Sequence, residues 1–255
     1  MRTRVPILMY HAIEERRSVL SVSPAIFAWQ MRWLSERGYR IISLSDLVRH
    51  LRNNAPLPDR SVVITFDDGL ESVYTSAFPI LERYGFPATV FLVPDYCGRW
   101  NDWPSQPSVA PRLPLLSWPQ IREMDRYGVE FGAHTLSHPR LDRLSRDEVE
   151  REILGSKASI EEHLGHPVEV FAYPYGRHND TSGAVVRRAY TGACAGELKL
   201  VGPGSDPLAL ERIDAYYVTQ PLLFRGLSRP WFPLYLGLRR PLRTIASAVL
   251  RRAWS

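Results

Sequence analysis

Two adjacent carboxylates, Asp67 and Asp68, stand with Gly69 directly after the apolar run Ser61-Val62-Val63-Ile64-Thr65-Phe66. Neighbouring carboxylates repel, so a pair at the tip of a buried strand costs stability unless a cation or a shared proton offsets it. Two imidazoles four residues apart, in His134-Thr135-Leu136-Ser137-His138, follow a second apolar run at 129–133. Turned toward one point, one carboxylate and two neutral imidazoles make a ligand set for Zn²⁺, Fe²⁺ or Co²⁺ that leaves positions open for water and a carbonyl. The other carboxylate is then free to act as a base. Each piece alone has a plainer reading. Asp-Gly is a turn signal and an aspartate can cap the following 71–83 segment, while a histidine can cap a helix or satisfy a backbone carbonyl. The metal reading gains its force from both pieces lying at the ends of expected buried strands, one supplying carboxylate and the other imidazole.

Such a set needs a scaffold that brings strand ends together. The runs 5–10, 61–66, 88–93, 129–133 and 168–173 are short and apolar, as in strands covered on both faces, and they alternate with amphipathic helical stretches. That is the pattern of βα units around a parallel sheet or barrel, where chemistry gathers at the C-terminal ends of the strands. A last barrel-like strand is expected at 213–218. Helix starts are marked by Ser23-Pro24 and by the capping-box forms beginning at Ser117 and Ser145; Gly38, Gly85, Gly128 and Gly165 mark the stops. Residues 100–116, with Pro104, Pro107, Pro111 and Pro114, read as a long loop of the kind that shapes a substrate site.

The 255 residues, 45% hydrophobic and 23% charged, suit one large domain of ordinary composition. Cys97 and Cys194 are far apart, which gives neither a disulfide framework nor a thiolate metal site and leaves two buried thiols. The apolar run before His11 is too short for a secretory signal, and no stretch of about 18 apolar residues could span a membrane. The net charge of +5 is concentrated at one end. Residues 221–255 carry seven arginines and no Lys, Asp or Glu, leaving 25 basic against 27 acidic residues upstream. Residues 1–220 are therefore assigned to a catalytic domain and 221–255 to a basic tail. Leu242, Ile245, Ala246, Val249, Leu250 and Ala253 recur at helical steps with arginines outside the stripe, as in a helix lying on an anionic membrane surface or docked on the domain. No nucleic-acid recognition motif accompanies the arginines.

The chain resembles the polysaccharide deacetylase family, also called the NodB-homology family or carbohydrate esterase family four. The resemblance rests on Thr65-Phe66-Asp67-Asp68-Gly69, on His134-Thr135-Leu136-Ser137-His138 and on Phe171-Ala172-Tyr173-Pro174-Tyr175-Gly176, in the family's order, and spans residues 5 to 220. It implies an α/β fold, a distorted (β/α)₇ barrel. It also implies a hydrolase that removes N-acetyl groups from an N-acetylhexosamine glycan or glycoconjugate with a divalent metal: Zn²⁺ first, with Co²⁺, Ni²⁺ or Fe²⁺ as alternatives. Carried over by residue, Asp67 becomes the general base, Asp68, His134 and His138 the metal ligands, and the Tyr175 backbone N–H a donor to the oxyanion.

Two family features are missing. Ala172 stands where an arginine usually pairs with the catalytic aspartate, which leaves Arg212 or the metal to tune Asp67. The late Leu-x-His motif that supplies the general acid is absent, His178 being the last histidine. Met9-Tyr10-His11 is similar to the N-terminal motif of poly-N-acetylglucosamine deacetylases and points to His11 as the acid, with His178 as its competitor. Trp100, Trp103, Pro174, Tyr175 and Arg212 are the expected substrate contacts. Trp118 is expected to pack on its own helix start, and His50, His163 and His166 to be solvated. With a membrane-seeking tail and no signal, the simplest placing is cytoplasmic and peripheral at the inner membrane face, acting on a lipid-linked saccharide. The competing readings are hydrolysis of a non-sugar amide or formamide, and a non-catalytic carbohydrate-binding protein on the same fold.

Overall fold

A computed structural model describes residues 4–239 apart from 17, 19, 108 and 109, with the backbone alone at Glu197. The described residues form a closed barrel of seven parallel strands, β1 (Ile7–Tyr10), β2 (Ser61–Phe66), β3 (Thr89–Leu92), β4 (Glu130–Ala133), β5 (Val170–Ala172), β6 (Gly192–Leu198) and β7 (Leu210–Asp214), arranged in chain order. β1 closes the ring by pairing with β2 through Met9 and Thr65 and with β7 through Leu8 and Ile213. A two-residue strand, Arg40–Ile41, adds to the start of β2. Closure removes the unpaired edges that an open sheet would have to protect.

Seven helices are bounded among the described residues: α1 (Pro24–Glu36), α2 (Leu44–Arg52), α3 (Phe78–Tyr84), α4 (Trp118–Arg126), α5 (Arg146–Leu164), α6 (Asp180–Ala189) and α7 (Pro221–Arg225). Ser23 caps α1 with Pro24 at its first position, capping boxes open α4 and α5, and left-handed Gly85 and Gly165 end α3 and α5. The expected 71–83 helix is split. One π turn, Val73–Ala77, precedes α3. No described helix is long and apolar enough to cross a membrane.

Alternation along the strands sorts the core into two shells. Leu8, Ile64, Val90, Phe131 and Phe171 face outward and pack with the helices, while Ile7, Val63, Phe91, Val170, Cys194 and Leu210 fill the barrel. The N-terminal mouth is plugged by α2, whose Leu44, Leu47, Val48 and Leu51 join the inner shell. A Cβ on Gly192 would meet Val48 Cγ2 at 2.3 Å, so the plug seats only against glycine. The carboxylate of half-buried Glu130 sits at this depth, accepting from the Thr89 hydroxyl at 2.5 Å and from Ser45 of the plug. Burial raises its carboxyl above the ordinary value. At the next level a Cβ on Gly132 would lie 2.6 Å from the Phe91 ring, so the glycine makes room for the aromatic that floors the site.

Two expectations are corrected. The last strand is Leu210–Asp214, and Ala215–Val218 is a short 3-10 turn, because Asp214 accepts from the Tyr216 N–H and ends the extended run. β6 has no counterpart among the expected strands, since Gly192-Ala193-Cys194-Ala195-Gly196 lacks the β-branched residues that signal strand. Beyond residue 220, Phe224, Leu227, Phe232 and Leu236 join the outer core, and Tyr235 donates to the Tyr217 carbonyl at 3.0 Å. The chain from 221 to 239 is thus packed on the barrel, and the 242–253 stripe lies outside the described residues. Truncating the plug, Leu47→Ala, should lower unfolding free energy by about 2–5 kcal/mol in urea denaturation, with no change in the metal affinity of the opposite mouth.

Candidate active site

The interior phase of β2 and β4 runs on past the strand ends. Thr65 lies inside the barrel, so Asp67 continues on that side, and Gly132 sets the same phase for His134. Asp68 then breaks the alternation with φ 71°, which brings its carboxylate back toward the histidines. Asp68 Oδ1 sits 3.6 Å from His134 Nε2 and 3.3 Å from His138 Nε2. One ligand atom from each of the three lies within 4.8 Å of the others, and all three residues are buried.

The chemistry of this donor set fits a cation. His134 Nδ1 donates to the Ala172 carbonyl at 2.7 Å, which directs the lone pair of Nε2 at Asp68. Burial pushes the His134 imidazole down to about 4, so it is neutral at ordinary pH. Asp68 Oδ1 is buried without a hydrogen-bond partner among the described residues. Acceptor facing acceptor in a dry site is costly, and a divalent ion between them removes the cost.

Asp67 is held differently. Arg212 on β7 reaches across the barrel with Nη1 2.6 Å from Oδ1 and Nη2 2.8 Å from Oδ2, a two-pronged bond in which both groups are almost fully buried. The guanidinium lies 5.7 Å over the Phe91 ring. Burial would raise the Asp67 carboxyl, but Arg212, His134 and His11 together hold it below the usual range. Asp68, also raised by burial, is brought well below that range by His138, His11 and His134. Both carboxylates therefore stay ionised at neutral pH. The stability they contribute is present there and is lost as pH falls through their lowered values.

The histidine loop is pinned from behind. Glu152 of α5 accepts from the Ser137 N–H at 2.9 Å and its hydroxyl at 2.7 Å, and Leu136 rests on Gly155, where a Cβ would lie 2.6 Å away. Thr135 and His138 hold φ of 69° and 59°, and Tyr175 holds 59°. Left-handed backbone in residues other than glycine persists only where surrounding contacts impose it. Ser105 supplies one such contact, donating to the His138 carbonyl at 2.5 Å and accepting from the Tyr175 hydroxyl at 3.0 Å. Glu152 and Ser105 were not among the expected site residues. A glutamate beside Val149 and Ile153 in an otherwise apolar stripe is a legible signal, whereas Ser105 carries none.

The remaining expected residues divide. His11 follows Ile7 and Met9 on the inner phase of β1, is half-buried, and its charge acts on both Asp67 and Asp68. His178 is exposed and packs on the Tyr173 ring at 4.8 Å. Tyr175 is partly exposed with its ring 4.8 Å from His138. Trp103 does not offer a sugar platform. It is 2% exposed, with its ring 4.2 Å from His138, because it packs with Leu70, Val93 and Leu115 beneath the loop. Trp100 is 42% exposed, with Arg112 over its face at 4.6 Å. Pro174 and Arg212 are both buried, Arg212 on the Asp67 carboxylate. Trp118 stacks on His163 at 3.7 Å rather than on its own helix start, and His166 bonds Asp125 at 2.9 Å. Neither of those histidines is simply solvated. His50 is half-buried, with Nδ1 unpartnered.

A (β/α)₇ barrel with an Asp-His-His cluster at its C-terminal mouth and a second, arginine-clamped aspartate beside it defines a hydrolase-type site. The polysaccharide deacetylase family model matches residues 54–191, more than half of the chain, and the chain belongs to that family. It is 29% identical to the putative polysaccharide deacetylase YxkH of Bacillus subtilis (strain 168) over 69% of this chain and 58% of that protein. It is 30% identical to the poly-beta-1,6-N-acetyl-D-glucosamine N-deacetylase of Staphylococcus aureus (strain MSSA476) over 76% of this chain and 67% of that one. The chain thus spans only part of these relatives' lengths. Among solved structures, Streptococcus pyogenes deacetylase PplD in complex with acetate superposes with a TM-score of 0.74 at 30% identity, covering 84% of this chain and 93% of PplD. The matched stretch contains Asp67, Asp68, His134, His138 and Tyr175, and leaves out His11 and Arg212.

Removing the loop anchor, Glu152→Ala, leaves the Ser137 donors without their acceptor. It should cost about 1–3 kcal/mol in stability and weaken zinc binding roughly 10–100-fold in competition with a chromophoric chelator. Unchanged zinc affinity would show that Glu152 does not position the ligands.

Proposed function

We propose that the protein removes N-acetyl groups from a polymer of N-acetylglucosamine or a closely similar N-acetylhexosamine glycan, with Asp68, His134 and His138 holding a divalent cation, Zn²⁺ first. The single observation that carries this reading is the pairing of a buried three-ligand cluster with a separate, ionised aspartate beside it. The family and the named activity of the Staphylococcus aureus relative support the acetamide as the reacting group. When bound, the cation supplies Lewis acidity to the acetamide carbonyl and to a water.

The protein's own groups divide the remaining work. Asp67, with both oxygens bonded to Arg212, removes a proton from the attacking water, and the clamp fixes its direction. A C–O bond forms, and the developing oxyanion takes a hydrogen bond from the Tyr175 N–H, in a turn anchored by Ser105. His11 then gives a proton to the nitrogen as the C–N bond breaks, so acetate and a free amine leave. Support for His11 is its inner phase on β1 and its influence on both carboxylates, against a His178 packed outside on Tyr173. The lipid-linked substrate and the inner-membrane location rest on the 242–253 stripe outside the described residues, and the proposal extends only to the glycan.

Asp67→Asn should keep the wild-type zinc stoichiometry while acetate release from N-acetylglucosamine oligomers falls by roughly 10²–10⁴-fold. Metal analysis and an acetate assay on the same preparation check this. A fully active Asp67→Asn enzyme would remove the aspartate from its role, and wild type that binds zinc but releases no acetate from any acetylated sugar would overturn the substrate class.

A further inference from the structure

Four arginines that the deacetylase reading leaves without a task line one cavity of about 280 Å³: Arg37 at the end of α1, Arg60 just before β2, and Arg225 and Arg229 in the segment after the last strand. Because Arg60 precedes β2, the cavity lies at the N-terminal end of the barrel, away from the mouth that holds Asp67 and Asp68. Among the described residues no acidic side chain lines it, and none of the four arginines makes an ion pair with a described carboxylate. Like charges that share a cavity repel, and an anion between them removes that repulsion.

The cavity wall is braced by Trp33, which is 9% exposed. Its ring is fixed by Tyr39 at 5.4 Å and Phe224 at 5.7 Å, and the Tyr39 hydroxyl bonds Ser228 Oγ at 2.7 Å, tying α1 to the C-terminal segment along the cavity wall. Guanidinium forks match the paired oxygens of a phosphate.

We propose that this cavity binds a phosphate group, held by the forks of Arg37, Arg60, Arg225 and Arg229. Free phosphate and the headgroup of an anionic phospholipid present the same oxygens. The same C-terminal segment exposes Leu222 (75%) and Trp231 (41%), side chains an acyl boundary would cover, so the lipid source has its own arm in the test.

The full-length protein is titrated calorimetrically with inorganic phosphate and, separately, floated with phosphatidylglycerol or phosphatidylcholine vesicles. Wild type is compared with Arg60→Gln/Arg229→Gln and with Arg37→Gln/Arg225→Gln. All variants retain the arginines at 240, 243, 251 and 252, so a loss reports the cavity. One-site phosphate binding that weakens more than tenfold in each arginine pair is the expected result for free phosphate. Flotation with phosphatidylglycerol only, lost in both arginine pairs, is the expected result for a lipid headgroup. Circular dichroism and acetate release should match wild type throughout, and the second arginine pair decides if the first fails to fold. Absence of both kinds of binding, or binding indifferent to both arginine pairs, would overturn the proposal while leaving the deacetylase reading untouched.

Discussion

The buried pair of Arg212 and Asp67 is the interaction around which the upper half of the barrel is organised. Two charges taken out of water lose several kcal/mol of hydration each, and only good geometry returns it. Here the geometry comes from the barrel. β7 and β2 are both neighbours of β1, so a side chain from one reaches the strand end of the other across the interior. With one carboxylate neutralised by an arginine, its neighbour Asp68 is left as the only negative ligand for the cation cluster. The adjacent aspartates, unfavourable as an isolated pair, are separated into two roles by two different partners.

The matching strain is carried by the backbone around them. Asp68, Thr135, His138 and Tyr175 all stand at positive φ, and each is tied to a rigid neighbour: the strand end of β2, the Glu152 bonds from α5, and the Ser105 bridge from the Pro-rich loop. The loop therefore acts on the site from behind, through Trp103 on the His138 ring, rather than as a platform in solvent. Opposite, α2 closes the far mouth, so the interior is a packed core with polar chemistry at one end.

Asp67, Asp68, His134 and His138 were legible because each pair begins directly after a short, mostly apolar strand, a pattern that names both the element and the end at which the side chains emerge. Arg212 was harder to place. The sequence left Arg212 and the metal as alternatives for tuning Asp67, and only the barrel shows that Arg212 faces inward on β7, taking the place an arginine would hold beside Ala172. β6 escaped because its small residues carry no strand signature, although they are what lets Gly196 approach Gly176 closely. The aromatic residues misled for one reason: a tryptophan in a loop or at a helix start gives no sign of whether it will find a partner. Trp103 found His138 and Trp118 found His163.

The central claim is that Arg212 and Asp67 act as one coupled unit. A double-mutant cycle on urea-unfolding free energy tests it with Arg212→Met, Asp67→Asn and the double variant. Arg212→Met alone should cost about 3–5 kcal/mol, because it strands a buried carboxylate. The double variant should recover a large part of that loss, giving a coupling energy of roughly 0.5–3 kcal/mol or more. Single losses that simply add in the double variant would contradict the account.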